Sequence, residues 1–201
     1  MTEDKAAVHQ QKMQKIQQTV AKRVNKATEE RGIVIVMTGN GKGKTSAGFG
    51  NVIRCLGHGF KAGVVQFIKG TWDAGEVKFI QQVYPDLPYY AMKTGFTWDS
   101  QDKAADIAAA ELAWQQAKAM LSNVDLKIVL LDELTYMLSY QYLDRQEVLD
   151  AIRNRPIDQT VIVTGRSAHK DLIAIADTVS EVREEKHAFR AGIKAQQGID
   201  W

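Results

Sequence analysis

Short apolar runs alternate along the chain with segments whose apolar residues recur every three or four positions. The runs predict strands at 33–37, 63–68, 87–92, 126–131, 159–164 and 178–183, and Pro88 interrupts the third of them. The helical spacing predicts helices at 45–56, 76–83, 102–122, 144–154 and 172–176. Strands that alternate with helices predict an α/β fold with a mostly parallel sheet and helices on both of its faces.

The first 32 residues differ from this pattern because they are rich in Gln, Lys and Glu. Their apolar positions, spaced by three and four from Met13 onward, predict an amphipathic N-terminal helix that ends at Gly32. Such a helix either packs one face on its own domain or acts as a lid or a subunit contact. Residues 33–201 are then expected to form one domain. The apolar positions of the predicted helix form an apolar stripe, which consists of Val8, Met13, Ile16, Val20, Val24 and Ala27.

Composition narrows the class of protein only moderately. A chain of 201 residues buries roughly 70% of its unfolded surface, which is enough for one sizeable core. The net charge of +2 gives no broad electrostatic footprint for nucleic acid. A single Cys55 cannot form an intramolecular disulfide, no apolar run is long enough to span a bilayer, and the first thirty residues are too polar for a signal peptide. We therefore expect a cytoplasmic protein with no nucleic-acid and no membrane partner.

The first candidate for a functional site is a glycine-rich segment between the strand at 33–37 and the helix at 45–56. Glycines let successive backbone N–H groups converge on phosphate oxygens, and the start of the following helix adds its positive dipole end. Lys44 supplies a charge for the outer phosphates, and the Thr45 hydroxyl suits a magnesium ligand. Thr38 stands where the usual pattern has glycine. The predicted phosphate-binding loop comprises Gly39, Asn40, Gly41, Lys42, Gly43, Lys44, Thr45 and Ser46.

A second candidate follows the apolar strand at 126–131. Asp132 and Glu133 end this strand, and acidic groups opposite a phosphate loop can complete the shell of a magnesium ion, directly or through water. Because side chains alternate along a strand, at most one of the two is expected to point squarely at the metal.

Three further positions are weaker candidates on sequence grounds. Lys69 and Arg166 follow predicted strands, where open α/β sheets bind their ligands, although both could be solvated surface charges. Phe96 and Trp98 lie two residues apart in a predicted loop. They either close the edge of the core or form an apolar wall for a flat ligand, and the residues alone leave both interpretations open.

Taken together, these segments resemble the cob(I)alamin (corrinoid) adenosyltransferase family, which has a P-loop NTPase (RecA-like) fold. The resemblance covers residues 33–201 in order and extends to the polar N-terminal arm. It rests on TGNGKGKT (38–45), QFIKGTW (66–72), GFTW (95–98), LDELTY (131–136), TGR (164–166) and the tail from KHAF (186–189) to GID (198–200).

The resemblance implies a specific reaction. ATP is expected to bind with its triphosphate in the loop, in an orientation reversed relative to most P-loop proteins, together with Mg²⁺. A reduced Co(I) corrinoid attacks the ribose 5′ carbon, and inorganic triphosphate leaves. Phe96 and Trp98 match residues that form a corrinoid wall and help displace the lower axial ligand. The resemblance further implies a reduced flavin or flavodoxin as electron donor, a homodimer, and an N-terminal helix that covers the active site.

Two other functions remain as alternatives. A P-loop ATPase of the nucleic-acid or partition type would use Asp132 and Glu133 to hold magnesium and activate water. The partition type needs a lysine where this chain has Gly39, and no arginine finger stands out in the sequence. A non-catalytic nucleotide-binding module would bind ATP and release no product.

Overall fold

The computed structural model describes residues 3–68, 74–92 and 102–201. Within them, six parallel strands form one sheet in the order β3-β2-β4-β5-β1-β6. The strands are β1 (Val34–Thr38), β2 (Lys61–Gln66), β3 (Tyr89–Ala91), β4 (Leu126–Asp132), β5 (Thr160–Thr164) and β6 (Thr178–Glu181). Parallel pairing requires a crossover between strands, and helices supply these crossovers.

The strand order decides which carboxyl ends meet. Strand β5 lies between β1 and β4, with Val163 opposite both Val36 and Leu131. The loop that follows β1 and the acidic pair that ends β4 are therefore separated by a single strand. Strand β2 flanks β4 on its other side and places Gln66 beside Asp132.

Helices cover both faces of the sheet, as the α/β prediction requires. They are α2 (Lys44–Gly57), α3 (Gly75–Val83), α4 (Lys103–Leu121), α5 (Leu134–Ser139), α6 (Arg145–Arg153) and α7 (Lys170–Ile175), with a 3-10 turn at Ala188–Ala191. Phe49 and Ile80 pack with Leu130 on one face, whereas Trp114 and Ile152 belong to a second buried cluster with Leu131. Because neighbouring residues of β4 enter different clusters, the predicted doubly covered parallel sheet is confirmed.

The N-terminal helix differs from its prediction at its end. Helix α1 spans Glu3–Val24, and Gly32 lies eight residues beyond it. Gly32 is buried beside β5, and its N–H donates to the carbonyl of Ile157 at 2.8 Å. A Cβ at Gly32 would lie 2.2 Å from the Gln159 carbonyl oxygen. The glycine therefore permits a close backbone approach, and its interpretation as a helix stop was wrong.

Residues 1–30 and 31–201 form two compact units. The two buried apolar clusters contain only residues from Val34 onward, so residues 31–201 have a core of their own. In α1, by contrast, the apolar stripe is largely solvent-exposed, from 36% at Met13 to 63% at Val24. In the part of the chain that the structure describes, no helix is both long and apolar enough to cross a membrane.

Candidate active site

The phosphate loop is shaped by glycines that pack against the backbone after β6. Gly39 has a φ of 99°, and a Cβ there would lie 2.4 Å from the Val182 carbonyl oxygen. The N–H of Gly41 donates to the same carbonyl at 2.7 Å. Gly43, with a φ of 114°, is the N-cap of α2. Residues with a Cβ would be strained or would clash at Gly39, so the loop needs glycine there.

Lys44 begins helix α2 and turns inward. Its side chain is buried, and its ammonium group donates to the Gly41 carbonyl at 2.8 Å. Burial lowers the pKa of Lys44, while the nearby Glu133 carboxylate acts in the opposite direction. The lysine and the exposed N–H groups at the start of α2 thus present positive charge to the space above the loop.

Asp132 is buried at the end of β4, and protein donors already occupy both of its oxygens. Thr164 Oγ1 donates to Oδ1 at 2.6 Å, and Gln66 Nε2 donates to Oδ2 at 3.0 Å. Burial raises the pKa of Asp132, and the hydrogen bonds from Thr164 and Gln66 oppose that change, as does the nearby Thr45 hydroxyl of the loop. Asp132 is therefore held at the end of the sheet, close to the loop.

Glu133 differs from Asp132 in the hydrogen bonding of its carboxylate. Its backbone lies in the left-handed region, with φ 59°, and its N–H donates to Thr164 Oγ1 at 2.9 Å. Among the described residues, its buried Oε2 has no hydrogen-bond partner. Burial, and then the neighbouring Asp132, raise the pKa of Glu133 to about 7. A buried carboxylate oxygen without a donor is well suited to a cation.

Two residues that orient Asp132, Gln66 and Tyr89, were not predicted from the sequence. The hydroxyl of Tyr89, on β3, donates to Gln66 Oε1 at 2.7 Å, which turns the amide NH₂ of Gln66 toward Asp132. A glutamine among the apolar residues 63–68 was the available signal, because a buried amide needs hydrogen-bond partners. No pattern in the sequence indicates Tyr89.

The loop that follows β5 closes the site on another side. Gly165 N–H donates to the Met37 carbonyl at 3.1 Å, and Ala168 N–H donates to Thr38 Oγ1 at 3.1 Å. These bonds hold the loop beside the end of β1 and bring Arg166 to the cavity.

These groups line one cavity of about 660 Å³. It brings together seven of the eight predicted loop residues, from Asn40 to Ser46, with Asp132, Glu133 and Arg166. The C-terminal tail from Lys186 also contributes His187 and the last four residues, Gly198 to Trp201. Lys69, Phe96 and Trp98 lie outside the described residues.

The side chains that line the cavity could bind a magnesium ion only together with phosphate oxygens of a substrate. Within residues 3–68, 74–92 and 102–201, no group of three or more His, Cys, Asp or Glu side chains could hold a metal. Magnesium, however, is commonly bound by one or two carboxylates plus substrate phosphates. Glu133, with its free oxygen, and Thr45, next to Lys44, fit that arrangement once phosphate oxygens are present.

The chain is similar to known proteins over most of its length. The family model described as ATP:corrinoid adenosyltransferase BtuR/CobO/CobP matches residues 30–201. The chain is similar to a corrinoid adenosyltransferase of Escherichia coli (strain K12), with 54% identity over 96% of this chain and 97% of that protein. The corrinoid adenosyltransferase CobA of Salmonella typhimurium (strain LT2) is 53% identical over the same shares.

A third relative, the corrinoid adenosyltransferase of Pseudomonas aeruginosa, is 47% identical over 96% of this chain and 95% of its own length. The matches extend over nearly the whole of each protein. The resemblance inferred from the motifs is thereby confirmed. The chain belongs to the ATP:corrinoid adenosyltransferase family.

Proposed function

We propose that this chain transfers the 5′-adenosyl group of ATP to the cobalt of a reduced Co(I) corrinoid, with the ATP triphosphate bound in the loop Gly39–Ser46. The proposal rests on one observation: residues of the phosphate loop, including Lys44, line the same cavity as Asp132 and Glu133. The reaction forms a bond between cobalt and C5′ and breaks the bond between C5′ and its oxygen. The bonding electron pair leaves with inorganic triphosphate.

The residues around the cavity then have distinct roles. The loop N–H groups and the start of α2 bind the triphosphate, and Lys44 and Arg166 stabilise the charge that develops on it as it leaves. No general base is required, because Co(I) is itself the nucleophile. This agrees with a site in which the Asp132 carboxylate bonds to Thr164 and Gln66, and Glu133 lines the cavity.

Thr45 and Glu133 would hold Mg²⁺ directly, and Asp132 would act through the Thr45 hydroxyl or a water molecule. This assignment rests on hydrogen bonding: both oxygens of Asp132 already accept bonds, whereas Glu133 Oε2 has none among the described residues. When bound, the ion would neutralise charge on the leaving triphosphate.

Other parts of the proposal rest on the resemblance alone. Phe96 and Trp98 would form the corrinoid wall, and Lys69 would contact phosphate or the corrinoid. A reduced flavin or flavodoxin would supply the electron, and the working unit would be a cytoplasmic homodimer. Helix α1 would cover the active site or contact the second subunit.

The test is an anaerobic assay with chemically reduced corrinoid and magnesium-ATP. We expect a light-sensitive adenosylated corrinoid with an equal amount of inorganic triphosphate. Lys44→Ala is expected to lower kcat/KM roughly 100-fold or more, because a buried charge beside the leaving group is lost. The matched control is Lys61→Ala, which removes an exposed lysine paired with Asp125 outside the cavity. Release of orthophosphate without alkylation would contradict the proposal and favour an ATPase.

A further inference from the structure

The end of the chain carries a charge that faces the phosphate loop. Asp200 Oδ1 lies 2.5 Å from the ammonium group of Lys42, and both residues line the cavity. The two residues are 158 positions apart in the sequence, so only the fold brings them together. About half of the Lys42 side chain is exposed, and about a quarter of the Asp200 side chain.

Asp200 is held in this position by its own segment. Its Oδ2 accepts the Gln196 N–H at 2.8 Å, and its own N–H donates to the Gln196 carbonyl at 2.8 Å. The Gly198 N–H donates to a backbone oxygen of Trp201 at 2.8 Å, which closes the last turn. Lys42, and then the Gln196 N–H, hold the pKa of Asp200 below its usual range, so it is ionised at neutral pH.

The two lysines of the phosphate loop are therefore arranged differently. Lys44 points inward to the Gly41 carbonyl, whereas Lys42 lies at the cavity mouth against a carboxylate. A triphosphate that enters the cavity competes with Asp200 for Lys42. If the ammonium group contacts both, the carboxylate still lies close to the phosphates and repels them.

The repulsion acts more strongly on the product than on the substrate. In ATP, the α-phosphate is esterified to C5′. Once that bond breaks, the same oxygen retains the electron pair, so inorganic triphosphate carries one negative charge more than the group did in ATP. A carboxylate at the cavity mouth therefore weakens product binding more than ATP binding.

We propose that Asp200 competes with bound triphosphate for Lys42, and that the C-terminal segment Gly198–Trp201 thereby promotes release of inorganic triphosphate after adenosyl transfer. Asp200 is a positioning residue, because it acts through Lys42 and through its charge. The inference rests on the proposed binding of triphosphate in the loop Gly39–Ser46.

The test compares the full-length protein with Asp200→Asn by calorimetric titration with inorganic triphosphate, and separately with ATP, in the presence of Mg²⁺ and without corrinoid. We expect Asp200→Asn to bind inorganic triphosphate on the order of threefold to tenfold more tightly, with a smaller gain for ATP. The difference between the variants should shrink as ionic strength rises.

Two controls separate charge from other effects. Asp200→Glu keeps the carboxylate and should bind triphosphate as the unaltered protein does. Asp125→Asn makes the same change of net charge in another lysine–aspartate pair, Lys61–Asp125, outside the cavity, and should change nothing.

Equal or weaker triphosphate binding by Asp200→Asn would overturn the inference, because Asp200 would then support binding. If triphosphate affinity rises equally in Asp200→Asn and Asp200→Glu, the cause is the geometry of the tail and the inference is overturned. If it rises equally in Asp200→Asn and Asp125→Asn, the cause is net charge and the inference is overturned as well. If the unaltered protein binds no triphosphate at all, the proposed function of the loop fails together with this inference.

Discussion

At the scale of single residues, backbone strain marks the surroundings of the cavity. Glu133, Gln141 and Ser167 are the non-glycine residues with positive φ in the part of the chain that the structure describes. Glu133 lines the cavity, and Ser167 follows Arg166, which also lines it. Left-handed conformations cost free energy in ordinary residues and persist where the surroundings enforce them, commonly at functional sites. The strained backbone at Glu133 and Ser167 therefore lies where a carboxylate and a guanidinium group line the same cavity.

Gly165 allows these strained residues to come together. It has a φ of 138°, and a Cβ there would lie 2.0 Å from Thr135 Oγ1 and 3.1 Å from Glu133 Oε2. Gly165→Ala is therefore expected to lower the free energy of unfolding by roughly 3 kcal/mol or more, through strain and displacement of these neighbours. Urea denaturation measures the loss.

The matched control for that prediction is Gly59→Ala. Gly59 also has a positive φ, 78°, but a Cβ there would meet no heavy atom within 4 Å. Its substitution should lower the free energy of unfolding by only about 1 kcal/mol, because alanine is strained in the left-handed conformation. Equal losses in both variants would show that Thr135 and Glu133 move aside without cost.

At the scale of elements, helix ends show how far local rules extend. The spacing of Asp144 and Glu147 predicts a capping box at the start of α6. Asp144 does accept the Glu147 N–H at 2.8 Å, but the Glu147 carboxylate bonds instead to Trp114 Nε1 at 3.0 Å and Lys118 Nζ at 2.7 Å. Asp144 thus caps α6, whereas the Glu147 side chain joins α6 to α4, because a buried indole N–H requires an acceptor.

Strands β1 and β6 are joined at their beginnings by an ion pair. Asp177, just before β6, accepts two bonds from Arg31 and one from the Val34 N–H. These bonds, from Arg31 first, lower the pKa of Asp177 to about 2. The folded-state pKa is below the unfolded one, so the stabilisation is present above about pH 4 and is lost as pH falls toward 2.

Asp177→Asn tests this link through its pH dependence. We expect the free energy of unfolding at pH 6 to fall by about 1 kcal/mol, a modest value because both partners are partly solvent-exposed. In urea titrations from pH 6 to pH 3, the difference between the proteins should shrink below pH 4. The exposed Asp158→Asn should show no such trend. A loss independent of pH would show that the ionised carboxylate of Asp177 does not supply the stabilisation.

At the scale of the whole molecule, the two units differ in what stabilises them. Residues 31–201 contain both buried clusters, whereas α1 exposes its apolar stripe. Exposed apolar surface of this extent is typical of a segment that contacts something else. Its role as a lid or subunit contact is a proposal, and it predicts that changes in the stripe affect function more than stability.

Ile16→Glu combined with Val20→Glu tests this role of α1. We expect the unfolding free energy of residues 31–201 to change by less than about 0.5 kcal/mol, because their core contains no residue of α1. Adenosyl transfer should fall roughly tenfold or more, because the loss of a contact worth one to two kcal/mol has that effect. Sedimentation then distinguishes the roles: a lid leaves the molecular mass unchanged, and a subunit contact does not.

The control for α1 is Gln11→Glu combined with Gln18→Glu. It adds the same charge on the opposite side of the helix, which the 3.6-residue period places away from the stripe. Activity should be retained. If this control and the stripe variant lose activity equally, the added charge is responsible and the stripe has no specific role.

The sequence by itself determined the fold class, and it indicated the predicted phosphate loop and the acidic pair. Each of these features depends on residues that are close in sequence. Apolar runs form buried strands, and glycines with Gly-Lys-Thr between a strand and a helix form the loop. The carboxylates stand at the end of an apolar strand. The motifs together also determined the family, which the comparisons with relatives confirm. Each of these signals lies within a few consecutive residues, or in a set of such motifs in a fixed order.

Tertiary structure alone decided which distant residues complete the site. Strand order placed Gln66 and Thr164 on either side of Asp132, whereas Glu133 Oε2 has no hydrogen-bond partner among the residues that the structure describes. The same packing brought Asp200 to Lys42, across 158 residues. These contacts leave no local pattern because each partner is an ordinary polar residue in its own segment. Only the pairing of parallel strands, and the path of the chain after β6, bring their atoms within hydrogen-bonding distance.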